Sequence, residues 1–193
     1  MPKVHQLPAF APNAHPQALR VGQEQLAIIN LRGNARDPAF VLAVHQALGL
    51  DLPVQSCTTV ANHRLRVVWV GPDDWFVFGP QGEQAKLAEA LRLALGEQHA
   101  AVTDVSSGYF VVSLAGLSAR DLLAQGCPMD FHPNAFHVDQ AATTHFHKVG
   151  ITVWKSGDAS RFELLVRRSF IDHFWQIVVA GSREFGITET VAA

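Results

Sequence analysis

Short apolar runs and longer stretches of helical periodicity alternate along this chain, and they predict a repeated order of strands and helices. In the first half, runs of strand length cover residues 25–31, 64–70 and 75–79. Residues 37–49 and 83–95 have apolar positions at helical spacing, and a glycine stands at the end of each stretch. The predicted order of this half is β-α-β-β-α.

The second half of the chain repeats this order. Its pattern predicts a strand over residues 109–114, a helix over 118–125 and a hairpin whose strands cover 149–154 and 161–166. A last helix is predicted over residues 169–180, where apolar residues lie on one face. Weaker patterns predict two additional short strands, at residues 99–103 and 143–148.

Two split β-α-β units in tandem predict an α+β fold whose ferredoxin-like halves have mainly antiparallel sheets with helices on one face. We predict a single domain over residues 23–181, built of two similar halves at about 23–98 and 99–181. Residues 1–22 contain four prolines and no sustained periodicity, so they are predicted to be an arm, disordered or extended across a partner. Residues 182–193 are predicted to be an unstructured tail.

Charge is scarce in this chain. Charged residues make up 17% of it, against about 25% in ordinary soluble domains, while 48% of the residues are hydrophobic. The chain is either an apolar monomer or one whose surface is partly covered by another chain, and the composition favours the second explanation. A formal net charge of -2 with scattered basic residues argues against a nucleic-acid partner.

The number of cysteines and the length of the hydrophobic runs indicate in which cellular compartment the protein is expected. Cys57 and Cys127 are the two cysteines, too few for a disulfide scaffold. The first ten residues lack the apolar run of a secretory signal, and no run approaches the roughly 20 apolar residues of a membrane span. We expect a cytoplasmic protein with no membrane partner.

A segment rich in histidine is the candidate metal site. It contains five permissible zinc ligands: Cys127, His132, His137, His145 and His147. His145 and His147 are two residues apart on a predicted strand and are expected to share one face of it. The usual Cys-x-x-Cys and helical His-x-x-x-His spacings are missing from the sequence, so loop and strand-edge histidines are favoured. Cys127 follows a predicted helix, whose dipole would raise the thiol pKa, and it is interpreted as inert.

Asp104 is the candidate functional carboxylate. A folate-dependent methylene transferase needs a buried carboxylate to bind the pterin or to handle a proton on it, and Asp104 lies between apolar residues. The alternative is that its side chain caps the turn at Ser106 and Ser107, as Asp commonly does. The sequence favours this second role.

Aromatic residues could pack in the core or form a platform for a pterin or flavin ring. Most of them lie at core-facing positions, which favours packing: Trp69, Trp75, Trp154, Phe162, Phe174 and Trp175. Phe131 and Phe136 lie in a proline-containing loop, where aromatic residues either fold back onto the core or anchor a partner. We expect this loop, which also contains Met129, and the arm before Gly22 to contact a partner.

The remaining motifs of catalysis are missing from the sequence. Neither a Rossmann loop nor a phosphate-binding loop is present, so the chain is not expected to bind FMN, FAD or NAD. No serine lies in a nucleophile elbow. The sequence therefore assigns no catalytic, cofactor-binding or metal-binding residue to this chain.

Five blocks of sequence, in this order, carry a family resemblance. Gly-Pro-Asp-Asp-Trp occupies residues 71–75, and Asp-Val-Ser occupies residues 104–106. Gly-x-x-Ala-Arg-Asp-x-Leu at residues 116–123 resembles folate-binding aminomethyltransferase-type domains, as does the Asp-x-Ser element before it. With Gly-Cys-Pro-Met-Asp-Phe-His-Pro-x-x-Phe at residues 126–136 and Phe-Glu-Leu-Leu-Val-Arg-Arg-Ser-Phe at 162–170, the set resembles the gamma subunit of heterotetrameric sarcosine oxidase.

This resemblance implies a function as well as a fold. The fold would be like that of the aminomethyltransferase folate-binding domain, and the chain would be a non-catalytic subunit that packs against larger alpha and beta subunits and a small delta subunit. The complex would demethylate sarcosine oxidatively to glycine, with hydrogen peroxide and formaldehyde or 5,10-methylene-tetrahydrofolate as products. FAD, FMN, NAD and tetrahydrofolate would be bound by the other subunits. The alternatives are a free-standing folate-binding, aminomethyltransferase-like protein and a metal-binding protein that uses the histidine-rich segment.

Overall fold

A computed structural model describes residues 18–157 and 160–189 of the chain. Within these ranges the elements are numbered in chain order. The strands are β1 (Leu19–Glu24), β2 (Ala27–Arg32), β3 (Thr59–Ala61), β4 (Arg66–Gly71), β5 (Asp74–Gly79), β6 (Ala101–Asp104), β7 (Tyr109–Ala115), β8 (Ala141–Phe146), β9 (Val149–Lys155), β10 (Arg161–Arg167) and β11 (Ile187–Glu189). The α-helices are α1 (Pro38–Leu48), α2 (Gln84–Leu95), α3 (Ser118–Gly126) and α4 (Ile171–Gly181).

Contacts divide the described residues into two compact units, named here for their sheets. The five-stranded unit contains residues 25–107 and 139–142. The six-stranded unit contains residues 18–24, 108–138, 143–157 and 160–189. The mixed α+β class and the mainly antiparallel sheets predicted from the sequence are confirmed.

The six-stranded sheet has the strand order β11-β1-β7-β10-β9-β8. β1 is antiparallel to β7 and parallel to β11, and β10 is antiparallel to both of its neighbours, β7 and β9. β7, β9 and β10 are buried along almost their whole length, which is why their sequences are nearly continuous apolar runs. α3 and α4 pack on this sheet, and the indole Nε1 of Trp175 donates a 2.7 Å hydrogen bond to Gln23 Oε1.

The five-stranded sheet has the strand order β3-β4-β5-β2-β6, and all its paired neighbours are antiparallel. α1 and α2 pack against each other, and α2 also contacts β2 and β6. Phe40 and Trp75 lie in this core with ring centroids 6.0 Å apart. A Cβ atom at Gly33 would come 2.2 Å from the ring of Phe40, so this close approach requires glycine.

Capping residues determine where α1 begins and ends. Asp37 Oδ1 accepts a hydrogen bond from Ala39 N, and Pro38 occupies the first turn, where a missing N–H is tolerated. Gly49 ends the helix in the left-handed region at φ 63° and donates to His45 O. Both ends lie where the sequence predicted them.

Two segments that the sequence left without structure contain strands. β1 begins at Leu19, inside the predicted arm, and β11 lies inside the predicted tail. These two strands pair with each other, so each owes its conformation to a partner far away in sequence. Residues 1–17, the rest of the predicted arm, lie outside the described residues.

The boundary between the halves also differs from the prediction. The short strand predicted at residues 99–103 was assigned to the second half, but β6 pairs with β2 in the five-stranded sheet. That unit therefore continues to Ser107. In the portion of the chain that the structure describes, no helix is long and apolar enough to cross a membrane.

Candidate functional site

Asp104 is an exposed residue at the end of β6, where its carboxylate organises a turn. Its Oδ1 atom accepts hydrogen bonds from the backbone N–H of Ser106 at 2.9 Å and from the hydroxyl of the same residue. Ser106 Oγ in turn accepts the N–H of Ile28 at 2.9 Å. This is the turn-capping role that the sequence favoured, and the carboxylate is not the buried group that pterin chemistry would need.

The candidate metal ligands of the sequence form no cluster in the part of the chain that the structure describes. β8 ends at Phe146, and His147 lies in the following turn with a left-handed φ of 50°. The expectation that His145 and His147 share a strand face is therefore wrong, because the strand ends between them. Among the residues that the structure describes, no three His, Cys, Asp or Glu side chains form a group that could hold a metal ion.

Cys127 is buried directly after α3, with 7% of its surface exposed, and its N–H donates to Leu123 O. Burial disfavours the charged thiolate and raises the pKa of the thiol to about 12. The sequence predicted a raised pKa from the helix dipole, and the structure assigns the cause to desolvation. At neutral pH the group is therefore a protonated thiol and not the reactive thiolate.

The aromatic side chains of the loop after Cys127 face the core. Phe131 and Phe136 are 2% and 4% exposed. Their ring centroids lie 5.5 Å from each other, and 5.6 Å and 6.3 Å respectively from that of Phe162 on β10. The expectation that these two rings anchor a partner is wrong, because both of them are already packed within this unit.

Two basic side chains hold the backbone of the same loop. Arg120 Nε donates a 2.8 Å hydrogen bond to Phe131 O, and Lys155 Nζ donates a 3.1 Å hydrogen bond to Phe136 O. Lys155 is only 4% exposed, so its ammonium needs this acceptor. The sequence did not assign either role; the only signal available was a lysine at the end of an otherwise apolar strand.

Most of the other candidate platform aromatics are core residues, as the periodicity predicted. Five of them are no more than 3% exposed: Trp75, Trp154, Phe162, Phe174 and Trp175. Trp69 is the exception and is half-buried on β4. Trp75 also donates from its indole Nε1 to Pro53 O at 2.8 Å. The five buried rings fill the cores of the two units.

A cavity of about 690 Å³ opens beside the first turn of α1 in the five-stranded unit. Arg32 at its edge forms ion pairs with Asp73 Oδ2 at 3.2 Å and with Asp74 Oδ2 at 3.7 Å. Arg32 thus offsets one of the two carboxylate charges, which leaves these three residues with a formal net charge of -1 (one cation, two carboxylates). Asp37 in the same lining is used as the helix cap. The sequence marked residues 71–75 as one of the five blocks of the family resemblance, but it did not predict the cavity.

Comparison with known proteins identifies the family of the chain. A profile of the family described as "Sarcosine oxidase, gamma subunit family" matches residues 32–184. The chain belongs to this family. The sarcosine oxidase subunit gamma of Corynebacterium sp. (strain P-1) is 34% identical over 151 residues, which are 78% of this chain and 72% of that protein.

Two solved structures extend the comparison to the fold. A chain of the heterotetrameric sarcosine oxidase from Corynebacterium sp. U-96, solved in complex with pyrrole 2-carboxylate, superposes with a TM-score of 0.83 and 26% identity. The superposition covers 92% of this chain and 90% of that chain. The glycine cleavage system aminomethyltransferase T from Bartonella henselae has a TM-score of 0.68 and 15% identity, over 91% of this chain and 49% of that chain. At that identity the second likeness shows a shared fold alone.

Proposed function

We propose that this chain is the gamma subunit of a heterotetrameric sarcosine oxidase, in which it serves assembly and not catalysis. The observation that carries the proposal is the superposition on a chain of such an oxidase, which extends over nearly the full length of both chains. The sequence relationship to a gamma subunit supports the same assignment.

The non-catalytic role is supported by what the candidate residues do. Asp104 holds a turn, the Cys127 thiol is buried and protonated, and Phe131 and Phe136 are packed in the core. These four side chains, which the sequence offered for chemistry or for partner contacts, thus have structural tasks. The proposal assigns no catalytic, cofactor-binding or metal-binding residue to this chain.

The chemistry belongs to the proposed complex as a whole. Sarcosine, oxygen and water would give glycine, formaldehyde and hydrogen peroxide, or the one-carbon unit would leave as 5,10-methylene-tetrahydrofolate. We place FAD, FMN, NAD and tetrahydrofolate on the other subunits, which are larger alpha and beta chains and a small delta chain. We also propose that the complex works in the cytoplasm.

The fold itself is proposed to consist of two ferredoxin-like halves of one domain. In the five-stranded unit, β2, β4, β5 and β6 are the four strands of a β-α-β-β-α-β unit with spatial order β4-β5-β2-β6. In the six-stranded unit, β9-β10-β7 repeats the order β4-β5-β2, and β1 occupies the place corresponding to β6. These matching orders support a ferredoxin-like strand order in both halves.

Co-expression with the companion subunits tests the proposed function. An affinity tag on one companion is expected to retain this chain in one-to-one stoichiometry, as measured by native mass spectrometry. The isolated chain is expected to be colourless, because it has no nucleotide-cradling loop. Stoichiometric flavin absorbance in the isolated chain would contradict the proposal, and tight tetrahydrofolate binding by the isolated chain would favour the free-standing folate protein.

A further inference from the structure

The cavity beside the first turn of α1 carries more negative than positive charge. It is called the α1 cavity below, and its polar lining residues are Arg32, Asn34, Asp37, Asp73, Gln98 and His99. Arg32 is paired with Asp73 and with Asp74, which follows Asp73 in the chain. Asp37 adds a third carboxylate. With His99 counted as neutral, one cation and three carboxylates leave this group of residues with a formal net charge of -2.

The N-terminus of α1 offsets only part of this charge. A helix N-terminus has a partial charge of about +0.5, so an excess of about 1.5 negative charges remains. Asp37 uses its Oδ1 atom to accept the N–H of Ala39. Among residues 18–157 and 160–189, no group donates a hydrogen bond to the second oxygen of Asp37, Oδ2. The cavity therefore retains a carboxylate oxygen that can accept a hydrogen bond from outside the chain.

A second acceptor in the lining also lacks a donor. The Oε1 atom of Gln98 is buried, and none of the described residues donates a hydrogen bond to it. Buried acceptors without a donor are rare in native proteins because they have lost water and gained nothing in exchange. The terminal torsion of a glutamine is soft, so the Gln98 amide can turn its oxygen toward a donor that enters the cavity.

The occupant that fits this lining is a cationic side chain. A lysine ammonium or an arginine guanidinium carries a positive charge and several N–H donors, and neither has an acceptor. Apart from its polar residues the cavity is lined by Gly33, Phe40, Ala100 and Ala101. These small and apolar residues suit the methylene stem behind such a charged head. An acidic or a purely apolar occupant would leave Asp37 Oδ2 and Gln98 Oε1 without donors.

We propose that the α1 cavity receives a lysine or arginine side chain of a companion subunit, an inference that rests on the proposed function. The charged head binds Asp37 and Asp73, and one of its N–H groups donates to Gln98. A protein chain is the source of this cation because only 17% of the residues are charged, which indicates a surface that another chain covers. Complementary charge then fixes how the companion is oriented on this unit.

Competition for the companion subunits tests the charge. Isotope-labelled wild-type chain and an Asp37→Asn variant are mixed in equal amounts with limiting tagged companions, and native mass spectrometry measures which one is incorporated. Asparagine caps a helix as well as aspartate does, so the variant loses the charge and keeps α1. We expect the wild type to be preferred about fivefold, as for one partly buried ion pair. The preference should narrow between about 0.05 M and about 0.5 M NaCl, because salt screens the pair.

A Gln98→Leu variant tests the hydrogen bond separately from the charge. Leucine is similar in size but has no acceptor, so we expect this variant to be disfavoured about threefold, with little dependence on salt. The matched control is Glu89→Gln on α2, which removes one carboxylate at an exposed position of the same unit. This control variant is expected to be incorporated as well as the wild type.

Equal incorporation of the Asp37→Asn and Glu89→Gln variants overturns the proposal. If the isolated chain then binds methylammonium chloride, the cavity is a site for a free amine and not for a companion. A lower melting temperature of the isolated Asp37→Asn variant would assign its loss to folding, which also overturns the proposal. Failure of the wild type itself to be incorporated contradicts the proposed function, so the two failures are distinguishable.

Discussion

The carboxylate of Asp104 stabilises a turn that joins two strands of different sheets. One of its oxygens accepts both the N–H and the O–H of Ser106, and Ser106 accepts the N–H of Ile28 on β2. The side chains of Asp104 and Ser106 therefore provide the hydrogen-bond acceptors of this turn. A residue of this kind contributes to folding stability.

Replacing Asp104 by alanine is expected to lower the free energy of unfolding by about 1 kcal/mol, because the Ser106 donors lose their acceptor. Asp104→Asn is the matched control, since its amide oxygen can still accept one of these hydrogen bonds. Urea denaturation of the isolated chain measures the difference. In the assembled oxidase, kcat should remain within a few-fold of the wild type for both variants. A loss of several orders of magnitude with intact assembly would show a catalytic role.

The buried thiol of Cys127 makes stability depend on alkaline pH. Its pKa is raised from 9.0 to about 12 in the folded chain. Between these values the unfolded chain has lost a proton that the folded chain retains, so the unfolded state binds fewer protons. The free energy of unfolding must therefore fall as the pH rises through this window, and it is unaffected by this group below it.

This dependence is measurable against Cys127→Ala. Urea denaturation from about pH 8 to about pH 11 should give a steeper loss of stability for the wild type than for the variant. At about pH 8 a thiol reagent should modify the exposed Cys57 in the native chain and spare Cys127 until denaturant is added. Rapid modification of both thiols in the native state would contradict the burial.

At the scale of elements, the sequence predicted correctly those helix ends that are determined by residues close by in the chain. The sequence placed α1 correctly because Asp37, Pro38 and Gly49 specify its ends. It could not predict β1 or β11, whose pairing joins residues 19–21 to residues 187–189 across nearly the whole chain. β3 was missed for a different reason: its partner β4 is close in sequence, but the strand has only three residues and so shows no alternation. Such strands gain their conformation from the neighbour and not from propensity.

The loop after Cys127 shows the same limit at the candidate site. From the sequence Phe131 and Phe136 could fold back or anchor a partner, and the expectation that they anchor a partner was wrong. Their packing depends on Phe162, which is distant in sequence. Likewise, the hydrogen bonds from Arg120 and Lys155 to loop carbonyls depend on where α3 and β9 lie. Buried polar groups are expected to form hydrogen bonds, but only the packed structure shows which acceptors Arg120 and Lys155 use.

Truncating either loop ring is expected to damage the fold. Phe131→Ala or Phe136→Ala should lower the free energy of unfolding by about 3–5 kcal/mol each, because a buried aromatic ring leaves a cavity. The loss of unfolding free energy in the double variant should approach the whole stability of a typical domain, which is about 5–15 kcal/mol. Asn134→Ala, an exposed position of the same loop, is the control and should stay within about 0.5 kcal/mol. Unchanged thermal unfolding of the double variant would show that the rings are not core residues.

At the scale of the whole molecule, the low charge of the chain is best explained by covered surface. Phe131 and Phe136 do not contribute to the surface that a partner could cover, because both rings are buried. The exposed apolar side chains that remain are distributed over both units, among them Leu42 and Val54 in one and Leu117 and Phe170 in the other. Contacts from companion subunits to both units would cover such a distribution, and the proline-spaced N-terminal segment is a further candidate for them.

The last prediction separates folding from assembly at the N-terminus. Leu19 is fully buried and begins β1, which pairs with both β7 and β11. Deleting residues 1–20 should therefore destabilise the isolated chain, since it removes a core side chain and part of a central strand. Deleting only residues 1–17 should leave thermal unfolding unchanged and weaken retention by the companion subunits, because an extended arm gains affinity by wrapping a partner. If the shorter deletion assembles as tightly as the full chain in size-exclusion chromatography, the arm is not part of the interface.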